Sequence, residues 1–287
     1  MERILLPTDL SGSADRALKQ AVELAAQTRS RLDIFHVVRL DGGDPAKVES
    51  ALEAYMSKVE KEVFDDLSTR SDAIRTRGVA VEVAVGRGSS PEKAILDRVA
   101  KTRPDLVVMG THGRSGIQKL LLGSVAASVV KRADCPVVTV GTDAAVAEGE
   151  AGLDPILVPV DFTEHSTKAV EAAKRFLAPS GKLILQHVVS TPVHPSFYAE
   201  GVSRLFQVDP ELPKRIREKL AELYPGAAEH VVSEGSVVED ILEMASTKKV
   251  QMIAMGTRGL SGLDQVLLGS VTERVIQRAK VPVLAVK

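Results

Sequence analysis

Leu106-Val107-Val108-Met109-Gly110-Thr111-His112-Gly113-Arg114-Ser115-Gly116 runs on to Leu121-Leu122-Gly123-Ser124-Val125. Its first four residues form an apolar run of strand length, of the kind buried on both faces of a sheet. A glycine-rich loop follows, and then Val125, Val129 and Val130 open a helical period. Strand, glycine loop and helix start together make an anion-binding device. Glycines let the backbone approach a ligand closely. Successive amides form a concave nest, and the helix start adds free N–H groups and the positive end of a dipole. Ser124 adds a hydroxyl at that point.

The device occurs twice. Gly256-Thr257-Arg258-Gly259-Leu260-Ser261-Gly262 leads to Leu267-Leu268-Gly269-Ser270-Val271. Other matches keep the same order. Ile4-Leu5-Leu6-Pro7-Thr8-Asp9 pairs with Ile156-Leu157-Val158-Pro159-Val160-Asp161, and His36-Val37-Val38 with His187-Val188-Val189. Gly88-Ser89 pairs with Gly235-Ser236, and Pro136-Val137 with Pro282-Val283. The offset stays between 146 and 152 residues. That period is domain-sized, so whole domains are duplicated. Residues 1–141 and 154–287 read as the two domains. Thr142 to Leu153, rich in Ala, Gly and Glu, reads as a linker.

The first copy alternates strands and helices. The strand candidates are Ile4–Thr8, Leu32–Val38, Val79–Val85, Leu106–Met109 and Val137–Val140. Between them Ala14, Ala17, Leu18, Ala21, Val22 and Ala25 make one helical face. Val48, Leu52, Tyr55, Met56, Val59 and Val63 make a second, and Ala94, Ile95 and Val99 a shorter third. This order predicts an α/β fold: a parallel sheet with helices on both faces and right-handed crossovers. The second copy interrupts its second crossover with an irregular stretch, Ser190 to Val208. That stretch carries Phe197, Tyr198 and Phe206, read as core or lid, and the helical pattern resumes at Leu212, Ile216, Leu220 and Leu223.

Composition narrows the function. The chain has 287 residues and a formal net charge of -1, which gives no electrostatic case for nucleic acid or an anionic membrane. No apolar run approaches a membrane span, and the first residues lack the pattern of a secretory signal. One cysteine, Cys135, cannot form an internal disulfide and reads as a small buried apolar residue. A cytoplasmic protein is expected. No Gly-Lys-Ser/Thr ending marks a P-loop, and no G-x-G-x-x-G follows the first strand.

In open α/β sheets ligands sit beyond the carboxyl ends of the strands. Asp9 and Asp161 follow the first strand of each copy, and Gly110 and Gly256 the fourth. The aspartates are candidates for a ribose hydroxyl or a metal held through water, or for turn and helix-cap roles. His36 and His187 read as structural. His165, His187 and His194 share the second copy, but their spacing matches no compact zinc pattern. The charged stretch from Lys58 to Asp66 reads as a solvated helix face.

The spacing Gly-x2-Gly-x9-Gly-Ser, found at Gly110 and again at Gly256, joins Pro-x-Asp after the first strand. Together they resemble the ATP-binding branch of the universal stress proteins. The resemblance spans the chain apart from the linker and Ser190 to Val208. It implies two tandem adenine nucleotide alpha hydrolase-like domains, each a five-stranded parallel sheet with helices on both faces. It implies that ATP, with Mg, is held by Pro7, Thr8, Asp9, Val37, Met109 and Gly110 for base and ribose. Gly113, Arg114, Gly123, Ser124 and Val125 would take the phosphates. The second site would use Val160, Asp161, Val188, Met255, Gly256, Gly259, Gly269, Ser270 and Val271. The resemblance further implies pairing of the last strands, Pro136–Val140 against Pro282–Val286, and a homodimer of such chains. Its implied role is stress-response regulation through a protein partner, with little or no turnover of ATP. A slow ATPase or a nucleotidyl or phosphoryl transferase is one alternative, with Asp9, His112 and Ser124 as its actors. A scaffold that binds no nucleotide is the other. The loops differ, since His112 and Arg114 are replaced by Arg258 and Leu260, so one or two working sites are both open.

Overall fold

The computed structural model describes residues 1–39, 50–112, 122–146, 152–190, 211–226, 229–257 and 268–287. The first copy runs β1 (Arg3–Thr8), α1 (Gly12–Thr28), β2 (Arg31–Arg39), α2 (Ser50–Arg75), β3 (Val81–Gly88), α3 (Pro91–Thr102), β4 (Leu106–Gly110), α4 (Ser124–Arg132) and β5 (Val137–Val140). The second runs β6 (Ile156–Pro159), α5 (Glu164–Lys174), β7 (Leu183–Ser190), α6 (Leu212–Leu223), β8 (Glu229–Gly235), α7 (Val237–Thr247), β9 (Met252–Gly256), α8 (Ser270–Arg278) and β10 (Val283–Val286).

The strands form one ten-stranded sheet in the order β3-β2-β1-β4-β5-β10-β9-β6-β7-β8. Pairing is parallel within each copy and antiparallel only at the seam, where Thr139, Val138 and Val137 face Val283, Leu284 and Ala285. The implied pairing of the last strands is therefore present. Strand order reverses between β1 and β4 and again between β6 and β9, giving one switch point per copy.

Alternating strand residues build two apolar layers. Ile4, Leu6, Ile34 and Val108 face α1 and α2, in a layer shared with α5 and α6. Leu5, Phe35, Val107 and Met109 face α3 and α4, in a layer shared with α7 and α8. Asp33, 1% exposed within β2, is paired with Arg31 and Arg3 at 2.9 Å and 3.4 Å from its carboxylate.

Several sequence boundaries shift. Val79 is buried but precedes β3, which runs on to Gly88. The second helix continues past Val63 to Arg75. The Lys58 to Asp66 face is not wholly solvated, because Glu60 turns inward to the Arg87 guanidinium, which also bonds Glu53 and Ser57. The stretch read as a linker is anchored at both ends. Ala144 and Leu153 are fully buried, the Ala145 amide donates to the Lys280 carbonyl, and Leu153 bridges Leu177. Residues 191–210, holding Phe197, Tyr198 and Phe206, lie outside the described residues. Among the described residues no helix is long and apolar enough to cross a membrane.

The seam carries a direct test. Leu284 is fully buried there opposite Val138. Leu284→Ala is expected to cost about 3 kcal/mol, read from urea unfolding by circular dichroism. A loss below about 1 kcal/mol, the scale of a tolerated surface change, would show that the seam lies outside the cooperative core.

Candidate functional site

The carboxyl end of β1 is built by a short hydrogen-bonded turn. Asp9 Oδ1 accepts from the Ser11 amide (3.1 Å) and the Ser11 hydroxyl (2.6 Å). Ser11 caps α1 by accepting from the Ala14 amide. Leu10 between them takes φ 63°, a left-handed conformation that costs a non-glycine residue energy. The second copy repeats the arrangement: Asp161 Oδ1 accepts from the Thr163 amide (3.0 Å) and hydroxyl (2.6 Å), Thr163 caps α5, and Phe162 takes φ 63°. Asp9 and Asp161 are thus turn residues, and the caps are Ser11 and Thr163. The signal was the Asp-x-Ser/Thr spacing before each helix.

The structural reading of His36 and His187 holds. Their Nδ1 atoms lie 2.8 Å and 2.7 Å from the carbonyls of Thr8 and Val160, tying the second strand end to the first. His187 also packs on Phe162, with ring centroids 4.8 Å apart.

The carboxyl end of β4 meets the start of α4 through one bond. The Gly123 amide donates to the Thr111 carbonyl at 2.8 Å, and Thr111 is itself held to Val140. A Cβ at Gly123 would lie 2.9 Å from that carbonyl, so only glycine fits without a shift. The counterpart bond, Gly269 amide to Thr257 carbonyl, is also 2.8 Å. The four helix starts then differ in kind. Side chains cap α1 and α5, whereas α4 and α8 begin at Gly123 and Gly269 with no side-chain cap. First-turn amides at Ser124 and Ser270 therefore have no N-cap side chain to donate to among the described residues.

Side-chain direction sorts the remaining candidates. Val37, Met109 and Val125 share the α3–α4 layer, and Val188, Met255 and Val271 share the matching α7–α8 layer. In each trio the last residue is the second of the helix that starts without a side-chain cap. Pro7 is buried in β1. Thr8 and Val160 turn their side chains to the opposite face, toward α1 and α5, and their carbonyls are the acceptors of His36 and His187. Gly113, Arg114 and Gly259 lie outside the described residues.

Gly110 and Gly256 admit the second residues of α1 and α5, Ser13 and His165, to the strand end. A Cβ on Gly110 would lie 3.4 Å from the Ser13 carbonyl, an ordinary contact. On Gly256 it would lie 2.8 Å from His165 Cβ. Sequence reading missed both neighbours, because each contact joins segments far apart in the chain.

Three buried polar atoms around these strand ends have no partner among the described residues: His112 Nε2, His165 Nδ1 and Thr257 Oγ1. With the uncapped helix starts and the glycine approach, they suit a phosphate-bearing group. A metal is different. Among the described residues no group of three or more His, Cys, Asp or Glu could hold one. A cavity of about 400 Å³ lined by Met1, Gln27, Thr28, Asp105 and Arg175 lies at the amino ends of β1 and β4, away from this crevice.

The family description "Universal stress protein family" matches residues 1–141 and again 152–287. A universal stress protein of Mycolicibacterium smegmatis is 27% identical over 311 residues, spanning 99% of this chain and 96% of that protein. A universal stress protein of Methanocaldococcus jannaschii is 30% identical over 139 residues, covering 48% of this chain and 81% of that protein. The crystal structure of a universal stress protein from Archaeoglobus fulgidus superposes with a TM-score of 0.72 at 24% identity, covering 99% of this chain and 98% of the other. That likeness establishes the fold.

Two expectations follow. Gly256→Ala forces α5 away from β9 and is expected to cost about 1–3 kcal/mol, against less than about 1 kcal/mol for Gly110→Ala, both from urea midpoints. Burial, and after it Asp134, pushes the Cys135 thiol up to about 11. Its alkylation at pH 8 should run about a hundredfold slower than that of free cysteine, with the rate still climbing toward pH 11.

Proposed function

We propose a function from one premise: the chain belongs to the universal stress protein family. It is read here as a stress-response regulatory protein that binds ATP at two sites and turns it over slowly or not at all. One observation carries the reading. In each copy a helix of nine residues starts without a side-chain cap at a switch point of the sheet, behind a glycine whose amide closes the loop. Triphosphate oxygens would accept from those amides, and the dipole end would favour their charge. Asp9, Gly110, Gly123 and Ser124 would flank ribose and phosphates in the first copy, with Pro7, Val37 and Met109 against the base. Asp161, Gly256, Gly269 and Ser270, with Val188 and Met255, repeat the set. Little turnover fits a sequence that carries no P-loop lysine. Magnesium would neutralise phosphate charge and come with the nucleotide.

The seam consumes the β5 and β10 edges, so β3 and β8 are the outer strands of the sheet. A homodimer of whole chains would therefore have to use a surface other than the one that pairs the two copies.

The test is calorimetric titration of nucleotide-stripped protein with ATP and magnesium. Two equivalents per chain are expected, falling to one in Gly123→Val. The displaced Thr111 carbonyl would then open the first loop and leave the second intact. Absence of binding heat at millimolar ATP would overturn the reading.

A further inference from the structure

The duplication provides its own comparison at the crevice. By the common turn after the first strand, Ser11 corresponds to Thr163 and Ser13 to His165. Across the crevice, two residues beyond Gly110, stands His112; in the sequence the second copy has Arg258 at that position, which lies outside the described residues. One copy therefore has serine on the helix wall and histidine on the loop wall. The other has histidine, His165, on the helix wall. The imidazole has changed sides while the strand ends and helix starts have kept their places.

The hydrogen bonds changed with it. In the first copy Ser13 Oγ donates to the His112 carbonyl at 2.8 Å and lies 2.8 Å from Ser11 Oγ. Thr111 Oγ1 lies 2.8 Å from His112 Nδ1. The His112 ring is thereby fixed by one nitrogen, and Nε2, buried, is left without a partner among the described residues. In the second copy His165 is pressed against Gly256. Its Nδ1 is buried without a partner among the described residues, and so is the hydroxyl oxygen of Thr257, a residue only 4% exposed. Buried polar atoms normally find partners; His112 and Thr257 lie within two residues of the strand ends at Gly110 and Gly256, and His165 packs against Gly256.

We propose that His112 and His165 are ligand-contacting residues, one for each nucleotide site, supplied from opposite walls of the crevice. Each imidazole gives a ring nitrogen to an oxygen of the phosphate chain, with the Thr257 hydroxyl adding a second contact in the second site only. The two sites then hold the same ligand class by different side chains, which makes them separable by mutation. This inference rests on the nucleotide reading above.

The experiment uses the full chain labelled with ¹⁵N-histidine, titrated with ATP and followed through the ring nitrogens in long-range ¹H–¹⁵N spectra. His112→Gln and His165→Ser assign the signals. Serine is what the first copy carries at the corresponding place, so His165→Ser respects the fold. His112 Nε2 and His165 Nδ1 are expected to move on adding ATP, while His36 and His187, held by backbone carbonyls, stay. In calorimetry each variant should weaken one of the two sites by about tenfold, the scale of a hydrogen bond to a charged group, and leave the other unchanged. ATP binding with unmoved rings and unchanged affinities would overturn this inference alone. Movement of one ring only would overturn the paired assignment. No ATP binding in the parent chain would overturn the nucleotide reading and this inference with it.

Discussion

The antiparallel contact of β5 with β10 is the constraint on which the molecule's arrangement depends. A parallel sheet covered by helices on both faces still has edges, and an unpaired edge is open to association. Here the last strand of each copy closes the edge of the other, with Val138 and Leu284 buried opposite each other. The contact leaves matching faces of the two copies on the same side, so α1, α2, α5 and α6 share one apolar layer and the other four helices share the second. It also points the carboxyl ends of the two sets of strands in opposite directions along the seam. The two crevices at those strand ends therefore do not crowd each other there.

Strain recurs where the first strand ends. Leu10 and Phe162 both hold φ 63°, although neither is glycine. The bonds from Ser11 and Thr163 to Asp9 and Asp161 over-determine that turn, which is how an unfavourable conformation persists. The turn directs the chain into a helix whose second residue reaches the end of the fourth strand. In the first copy it places the Ser13 hydroxyl on the His112 carbonyl, and in the second it places His165 against Gly256. The left-handed residue is thus linked to the site through the helix start it fixes.

The strands were legible because strands buried on both faces are apolar runs bounded by glycine, proline or charge. Val137–Val140 appears with its expected limits. The second helix was read short because its core-facing row continues through Leu67, Ser71 and Ile74. Ser71 is fully buried with its hydroxyl on the Leu67 carbonyl, which breaks the apolar period without breaking the helix. Around the candidate site, the glycine spacing is a local pattern and could be read, whereas Val37, Met109 and Val125 came only with the resemblance. The partners of Gly110 and Gly256 could not be read, because Ser13 and His165 arrive from segments roughly ninety residues away and carry no local sign of that contact. The opposite facing of Thr8 and Val160 follows from strand alternation, and needed only the register of β1 and β6.

The duplication also separates what the fold requires from what it permits. Beside Val37 the first copy packs Phe35 against Gly86, whose Cβ would lie 2.9 Å from the ring, with Arg98 stacked 5.5 Å from its centre. At the places of Phe35 and Gly86, beside Val188, the second copy has Gln186 and Ser233. There the Gln186 amide donates to the Ser233 hydroxyl and the Asp240 carbonyl. One corner is aromatic and the other is a polar network, yet both strands keep the same register and the same switch point. The sheet geometry therefore does not depend on the chemistry of this corner. What both copies retain is narrower: the turn aspartate, the histidine on its neighbour's carbonyl, and the glycine that closes the loop on a threonine carbonyl. Those shared bonds hold the strand ends and the uncapped helix start in a fixed relation, while the walls around them are free to diverge.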